Sequence, residues 1–264
     1  MSANKTSNFL RSILVLTGSF TFAFLVGEAV HELGHYLAHR FFGNVGIWIH
    51  LDPFGGSRIQ GVESLPLGQM GVTSAAGPLL NLVVGLLFSL LFWKSKRTIL
   101  LPALMWGPVA AIQEGVNFSL GLLTPGGDGS WIIAAGVPQP ILLSFGLLLL
   151  AGGIIGVSFL LPLADIGLEM KFTSRFIRLL AGIGLLMAVR SVYSSTVSSD
   201  AAIENFLPLV FSLLLSLLVI LIQRAISKVK ESATERSTMD ISWSAAAATL
   251  SMAILIFVVQ IILP

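Results

Sequence analysis

Seven stretches of this chain are apolar for long enough to cross a lipid bilayer as helices, and this feature limits the fold more than any other. About 20 apolar residues are needed to span the hydrocarbon core. Charged residues make up only 11% of the chain, less than half of the roughly 25% found in soluble domains. The sequence therefore predicts an all-α, polytopic transmembrane bundle of six or seven spans, at residues 12–41, 72–93, 99–122, 139–164, 176–197, 206–223 and 245–263.

Basic residues indicate which loops face the cytoplasm, because Lys and Arg are retained on that side of a membrane. If the N-terminus is inside, nearly all basic residues fall in inner segments, and the outer segments hold little more than Arg58. We therefore expect a multi-pass protein of the cell membrane with a cytoplasmic N-terminus. No convincing signal-peptidase site precedes His31, so the first stretch is predicted to be a retained helix.

Charge and cysteine content exclude several classes of function. A nucleic-acid-binding surface needs clustered Lys and Arg, whereas this chain has a net charge of +2 and scatters its basic residues. We expect contact with the lipid bilayer and none with nucleic acid. Cysteine is absent, which excludes disulfides, thiolate zinc sites and cysteine nucleophiles.

The first apolar stretch contains His31-Glu32-Leu33-Gly34-His35 near its end, an HExxH pattern. On a helix, positions i and i+4 share one face, so both imidazoles can bind one zinc ion with Glu32 beside it. Ionisable residues inside an apolar span are costly and therefore indicate function. The sequence predicts one zinc ion per chain, with Glu32 as the general base. Glu28, one turn earlier, could bond a ligand imidazole or face another helix.

A catalytic zinc site of this kind needs a third protein ligand. His39 shares the face of His31 but lies roughly 12 Å further along the helix, so we expect a supporting or interfacial role for it. A metzincin would carry its third histidine at the position of Phe41, so that class is excluded. The distant acids Glu114 and Asp128 remain, and spacing alone does not choose between them.

Two regions are predicted to depart from plain spanning helices. The third stretch should be interrupted at a set of helix-breaking and polar residues, namely Gly107, Pro108, Glu114 and Asn117, and such breaks are tolerated where the backbone is buried or lines a wet cavity. Residues 44–61 contain β-branched and aromatic residues, including Trp48, before Asp52-Pro53-Phe54-Gly55-Gly56. This pattern predicts a short, membrane-associated β-hairpin after the first span.

Three elements taken in order resemble the site-2 protease family of intramembrane zinc metalloproteases. They are His31 to His35, Gly77-Pro78-Leu79-Leu80-Asn81 and Pro125-Gly126-Gly127-Asp128-Gly129, and the resemblance covers about residues 22–132. It implies zinc on His31, His35 and Asp128, catalysis by Glu32, and a transmembrane protein as substrate. Gly/Pro breaks near Pro78 and Pro125 would help to unwind the substrate helix.

The resemblance also assigns roles to residues around the zinc ligands. The hairpin near Trp48 would hold an unwound substrate by main-chain pairing, or it would be purely structural. Independently of the resemblance, Asn81 could contact substrate or bond across helices. The family usually has an asparagine eight residues before the metal-binding aspartate, but Leu120 occupies that position here and Asn117 is the nearest asparagine. The family's active site usually lies nearer the cytoplasm, whereas the basic residues place the end of the first span outside, unless that span is broken or re-entrant.

The sequence thus predicts a catalytic membrane core at residues 1–132, followed by helices of unknown role at residues 133–264. Two alternatives stay open. A non-proteolytic membrane protein could use the zinc for structure, although such sites usually have four protein ligands. A membrane metalloprotease of the prenyl-protein-processing type would use a glutamate as third ligand, and Glu114 is its candidate.

Overall fold

The structure, a computed structural model, describes residues 3–53, 57–95, 97–120, 126–197, 202–230 and 242–262. These residues form eight α-helices and one two-stranded antiparallel sheet. The helices are α1 Ala3–Phe41, α2 Leu67–Phe92, α3 Leu101–Leu120, α4 Asp128–Ala134, α5 Gln139–Leu160, α6 Phe172–Val197, α7 Ala202–Lys230 and α8 Trp243–Ile262, and the strands are β1 Trp48–His50 and β2 Arg58–Gln60.

Five of these helical segments are long and apolar enough to cross a membrane: Asn8–Phe41, Leu67–Phe92, Thr98–Ser119, Gln139–Ala164 and Trp243–Gln260. They correspond to the first four and the seventh of the predicted spans. A shorter apolar segment, Val210–Ile226, lies in α7 and overlaps the sixth. The fifth predicted span lies in α6, which is not among the candidate spans in the described part of the chain. The helical bundle is confirmed, and the number of spans stays a prediction.

The predicted interruption of the third span is wrong, because α3 is a continuous helix with Pro108 inside it. Proline has no N–H to bond the carbonyl four residues earlier, and that loss normally kinks or breaks a helix. Here the Ser89 hydroxyl of α2 donates to that carbonyl, Leu104 O, over 2.8 Å. The same hydroxyl oxygen accepts a hydrogen bond from the Gly107 N–H at 2.9 Å. A neighbouring helix therefore replaces the missing donor.

Glycines of α5 make room for the proline of α3. A Cβ on Gly153 would lie 2.6 Å from Pro108 O, and one on Gly156 would lie 2.8 Å from its Cγ. The glycines of the fourth apolar stretch are thus sites of close helix packing. Helix α2 is also continuous through Pro78, so the break expected there is absent. Pro125 lies outside the described residues.

Arginine side chains lie at one end of the bundle, far from the HExxH residues. At one end, Arg178 of α6 donates to Ser12 of α1 over 2.6 Å and to Asp165 O over 3.3 Å. Nearby, the Arg11 guanidinium lies over the Trp243 ring at the start of α8. His31 follows Arg11 by 20 residues, or about 30 Å of helix. Because α1 runs unbroken from Ala3 to Phe41, the HExxH residues lie far from this basic end.

One apolar core joins the two halves of the chain, with Val15 of α1, Val109 of α3, Val219 of α7 and Ala246 of α8 among its buried members. The last helix packs directly on α1, where Gln260 Nε2 donates to Leu25 O over 2.9 Å. Several helices after residue 133 therefore support the helix that carries the HExxH residues.

The predicted hairpin is present. Strands β1 and β2 pair Trp48 with Gln60, Ile49 with Ile59 and His50 with Arg58. Residues 54–56 of the predicted turn lie outside the described residues, but Asp52 N donates to Ser57 Oγ over 2.9 Å and holds the two sides of the turn together. Arg40 Nη1 donates to Val45 O over 2.8 Å and ties the hairpin to the end of α1.

Candidate metal centre

Helix α1 places both histidines of the HExxH pattern on one face, as the spacing predicts. The two Nε2 atoms of His31 and His35 lie 2.9 Å apart, and the rings meet edge to face with their centroids 4.6 Å apart. His35 and Glu32 are buried. Two imidazole nitrogens this close can bind a single ion.

Asp128 reaches this pair from the opposite side. Its Oδ2 lies 3.1 Å from His31 Nε2 and its Oδ1 lies 3.3 Å from His35 Nε2. Although a Gly/Pro break is predicted near Pro125, Asp128 itself is the first residue of helix α4. The irregular part comes just before it, where Gly126 has a φ of 83°, a conformation that suits glycine. The turn and the helix start together direct the carboxylate at the histidines.

Within the described part of the chain, His31, His35 and Asp128 form the group that could hold a metal ion, with their ligand atoms all within 4.8 Å of one another. Ligands arranged tetrahedrally around zinc at 2.0–2.2 Å lie about 3.3–3.5 Å apart. The imidazole nitrogens lie 2.9 Å apart, and Asp128 Oδ2 and Oδ1 lie 3.1 and 3.3 Å from His31 and His35 respectively, which is close to that spacing. Two imidazoles and a carboxylate are a donor set found at catalytic zinc sites, so the residues present fit a zinc ion.

The far nitrogens of both histidines are bonded to acceptors. His31 Nδ1 lies 3.0 Å from Glu114 Oε1, and His35 Nδ1 donates to the backbone carbonyl of Thr73 over 2.7 Å. A carbonyl only accepts, so His35 must carry its proton on Nδ1 and turn a lone pair on Nε2 toward the site. Metal-binding histidines are typically oriented in this way.

Glu114, the competing candidate for third ligand, thus lies on the side of the His31 ring that faces away from His35 and Asp128. Its carboxylate bonds Nδ1, whereas Asp128 and His35 lie at Nε2. An imidazole cannot direct both nitrogens at one ion. Glu114 therefore bonds the His31 nitrogen that points away from the candidate metal position, and Asp128 lies at the nitrogen that points toward it.

Glycines allow α1 and α2 to approach closely at this site. A Cβ on Gly77 would lie 2.5 Å from His35 Nε2 and 2.8 Å from His31 O, and one on Gly34 would lie 2.5 Å from Ala76 O. Pro78 follows Gly77 directly and lacks the N–H that would bond the Ser74 carbonyl, so the preceding turn of α2 has one helical hydrogen bond fewer. In that turn Thr73 O accepts the hydrogen bond from His35. The Gly-Pro pair therefore shapes the wall against which His35 packs.

Both asparagines singled out from the sequence bond the acids of the site. Asn117 Nδ2 donates to Asp128 Oδ2 over 2.9 Å and lies 3.4 Å from Glu114 Oε2. Asn81 is fully buried and donates to Glu114 Oε1 over 2.6 Å. Asn117 therefore holds the carboxylate of Asp128, although it is not at the spacing of the resembling family.

A cavity of about 400 Å³ opens beside the three candidate ligands. Glu32 lines it, and the Glu32 side chain makes no hydrogen bond with the residues that the structure describes, so its carboxylate is available to a molecule in the cavity. Arg58 and Ile59 of strand β2 form part of its wall, and the remaining lining includes Val62, Met70, Thr73, Asn117 and Trp131.

The other residues predicted around the site take different positions. His39 lines the cavity, but its Nδ1 lies 2.9 Å from Asn44 Nδ2, and it is not in the candidate metal group. Glu28 and Trp48 are not among the lining residues, and Trp48 is half exposed on β1. Thr73 was missed from the sequence, because a backbone carbonyl acting on a distant histidine leaves no signal in residue type.

Asp128 is suited to binding a cation. Burial alone would raise the pKa of its carboxyl, but without a metal ion His31 and His35 can each carry a second proton on Nε2, and their hydrogen bonds and charge then hold that pKa well below its ordinary value. The group is therefore ionised at neutral pH, as a metal ligand must be.

Comparisons of the chain with protein-family models, with curated proteins and with solved structures gave no match.

Proposed function

We propose that this chain is an intramembrane zinc metalloprotease that hydrolyses peptide bonds in or near the transmembrane segment of another membrane protein. The observation that carries the proposal is the convergence of His31, His35 and Asp128 beside a cavity that also exposes Glu32. Three protein ligands leave a coordination position for water or substrate, which is the mark of a catalytic zinc site.

The chemistry follows from the placement of Glu32. A zinc ion in this site would polarise the scissile carbonyl and make a water molecule acidic near neutral pH. Glu32 would take the proton from the attacking water and pass it to the leaving amine. Its place one residue after His31 on α1 keeps the carboxylate at the edge of the ligand group.

Strand β2 supports the choice of a peptide substrate. Arg58 and Ile59 of this strand line the cavity, and the strand belongs to a sheet of only two strands. An extended peptide could add to such an edge by main-chain hydrogen bonds. A substrate helix would have to unwind first, because its own hydrogen bonds engage its carbonyls. The surrounding apolar helices, five of them long enough to cross a membrane, favour a membrane-embedded substrate.

Two alternatives are less well supported. A structural zinc site usually has four protein ligands, whereas the described residues bring three together. The prenyl-protein-processing type would require Glu114 as ligand, but its carboxylate lies at His31 Nδ1, away from His35 and Asp128.

The proposal can be tested by co-expressing the chain with candidate single-span membrane proteins and looking for a fragment that a zinc chelator suppresses. Glu32→Gln should abolish the fragment, because the change removes the general base. The purified variant should keep one zinc ion per chain, because Glu32 is not a proposed metal ligand. Glu169→Gln is the matched control, since Glu169 is exposed and lies beyond the far end of α5, and it should cleave normally. Continued cleavage by Glu32→Gln would contradict the mechanism.

A further inference from the structure

Four polar side chains form a continuous line through the apolar core behind the candidate metal centre. Trp106 Nε1 lies 3.1 Å from Asn81 Oδ1, Asn81 Nδ2 lies 2.6 Å from Glu114 Oε1, and that oxygen lies 3.0 Å from His31 Nδ1. Asn81 and Glu114 have no exposed surface, and Trp106 is 4% exposed. Trp106 and Glu114 belong to α3, Asn81 belongs to α2 and His31 belongs to α1, so the line connects three helices.

When Glu114 is ionised, the hydrogen bonds along this line can run in only one direction. An indole N–H donates and never accepts, so Trp106 forces Asn81 to present its carbonyl oxygen to the indole. The amide nitrogen of Asn81 must then face Glu114, and an ionised carboxylate accepts from both sides. His31 is left as the donor at Nδ1, and a neutral imidazole with its proton on Nδ1 has its lone pair on Nε2. Nε2 is the atom that faces His35 and Asp128.

We infer that Glu114, Asn81 and Trp106 are positioning residues that fix the tautomer and ring orientation of His31, so that its Nε2 lone pair is always directed at the metal. The inference rests on the proposed metal site and adds to it a role for residues that touch neither metal nor substrate. It also gives Asn81, the last residue of the Gly-Pro-x-x-Asn element, a role two hydrogen bonds away from the ion.

The packing around these four side chains is consistent with a positioning role. A Cβ on Gly85, one turn after Asn81, would lie 3.0 Å from Trp106 Cδ1, so glycine makes room for the indole. Polar groups in an apolar core are costly unless each has a partner. Removing Trp106 would leave Asn81 Oδ1 without this donor, and removing Glu114 would leave Asn81 Nδ2 and His31 Nδ1 without their acceptor.

Affinity for the metal alone tests the inference without any substrate. The full-length protein is stripped of metal and titrated with Co²⁺, whose visible spectrum reports coordination geometry, and with Zn²⁺ in competition. Glu114→Gln should weaken metal binding by about 10–100-fold, as changes to the outer partners of metal-bound histidines typically do. Trp106→Phe keeps an aromatic ring but removes the donor, and it should weaken binding by at least about threefold and alter the cobalt spectrum.

Ser89→Ala is the matched control. Ser89 makes buried hydrogen bonds between the same two helices, α2 and α3, but it has no link to His31. This variant should lose thermal stability while keeping the native metal affinity and cobalt spectrum. The inference is overturned if folded Glu114→Gln and Trp106→Phe both bind metal like the native chain. It is also overturned if Ser89→Ala weakens binding as much as they do.

The outcomes separate this inference from the proposed function. Weakened metal binding in Glu114→Gln and Trp106→Phe, together with no cleavage by the native chain, would support the positioning line and count against the protease. Cleavage that depends on Glu32, together with unchanged metal binding in both variants, would support the protease and overturn the positioning line.

Discussion

Gly77→Ala should damage the metal centre although it adds only one methyl group to a helix. The added Cβ would lie 2.5 Å from His35 Nε2 and 2.6 Å from its Cε1. Ordinary contacts between such atoms are about 3.4 Å or longer, so the ring must move by nearly 1 Å. Moving the His35 ring would not relieve all of the overlap, because the same Cβ would also lie 2.8 Å from the backbone oxygen of His31 on α1.

The size of the effect follows from which atom moves. His35 Nε2 is the ligand atom, and its other nitrogen is held by Thr73 O at 2.7 Å, so a displaced ring must lose one of the two contacts. Overpacking a core by a methyl group costs about 1–3 kcal/mol of stability. If that strain falls on the ligand, metal affinity drops by about 10–100-fold, since each 1.4 kcal/mol corresponds to a factor of ten.

The assay is Zn²⁺ affinity by competition with a chelating dye, together with thermal unfolding of the metal-free protein. Gly68→Ala is the matched control: it makes the same change in the same helix, where an added Cβ would have no atom within 4 Å. Alanine is a better helix former than glycine, so this variant should be as stable as the native chain or slightly more stable. Its metal affinity should not change.

Native metal affinity in Gly77→Ala would refute the reasoning. It would mean that α1 and α2 can separate without moving the ligand ring, and that the Gly-Pro pair has no part in shaping the site. A loss of affinity in Gly68→Ala of the same size would refute it too, because the steric cause would then be wrong.

Two further predictions concern the ligand set and the orientation of the chain. His39→Ala should keep one metal ion per chain by elemental analysis, since the His39 imidazole bonds Asn44 and lies outside the ligand group. His35→Ala should lose the ion. If both variants lose it, His39 belongs to the metal site. The chain has no cysteine, so single cysteines at exposed Glu63 and Glu169 can be labelled in intact cells with an impermeant reagent. Because basic residues are retained inside, the reagent should label Glu63→Cys in intact cells and Glu169→Cys only after lysis. The opposite labelling pattern would show that the chain has the inverse orientation.

Local patterns in the sequence predict the helices and the hairpin well, because apolar length and β-branched residues act over a few neighbours. The prediction fails in α3, where Gly107, Pro108, Glu114 and Asn117 were expected to interrupt the helix. Its physical cause lies on another helix: Ser89 supplies the hydrogen bond that proline lacks, and glycines of α5 make room for the ring. A donor 19 residues away in sequence is not visible to a local rule.

The HExxH spacing alone determined that His31 and His35 share one face, because the pitch of an α-helix brings positions i and i+4 together. A catalytic zinc ion on these two residues would need a third protein ligand from elsewhere, and the sequence left Asp128 and Glu114 as alternatives. Only the tertiary structure decided between them. Both acids reach His31, and they are told apart by the ring nitrogen that each contacts, which depends on how α3 and α4 cross α1. That crossing is set by packing among distant glycines and side chains, and no residue type or spacing within one segment records it.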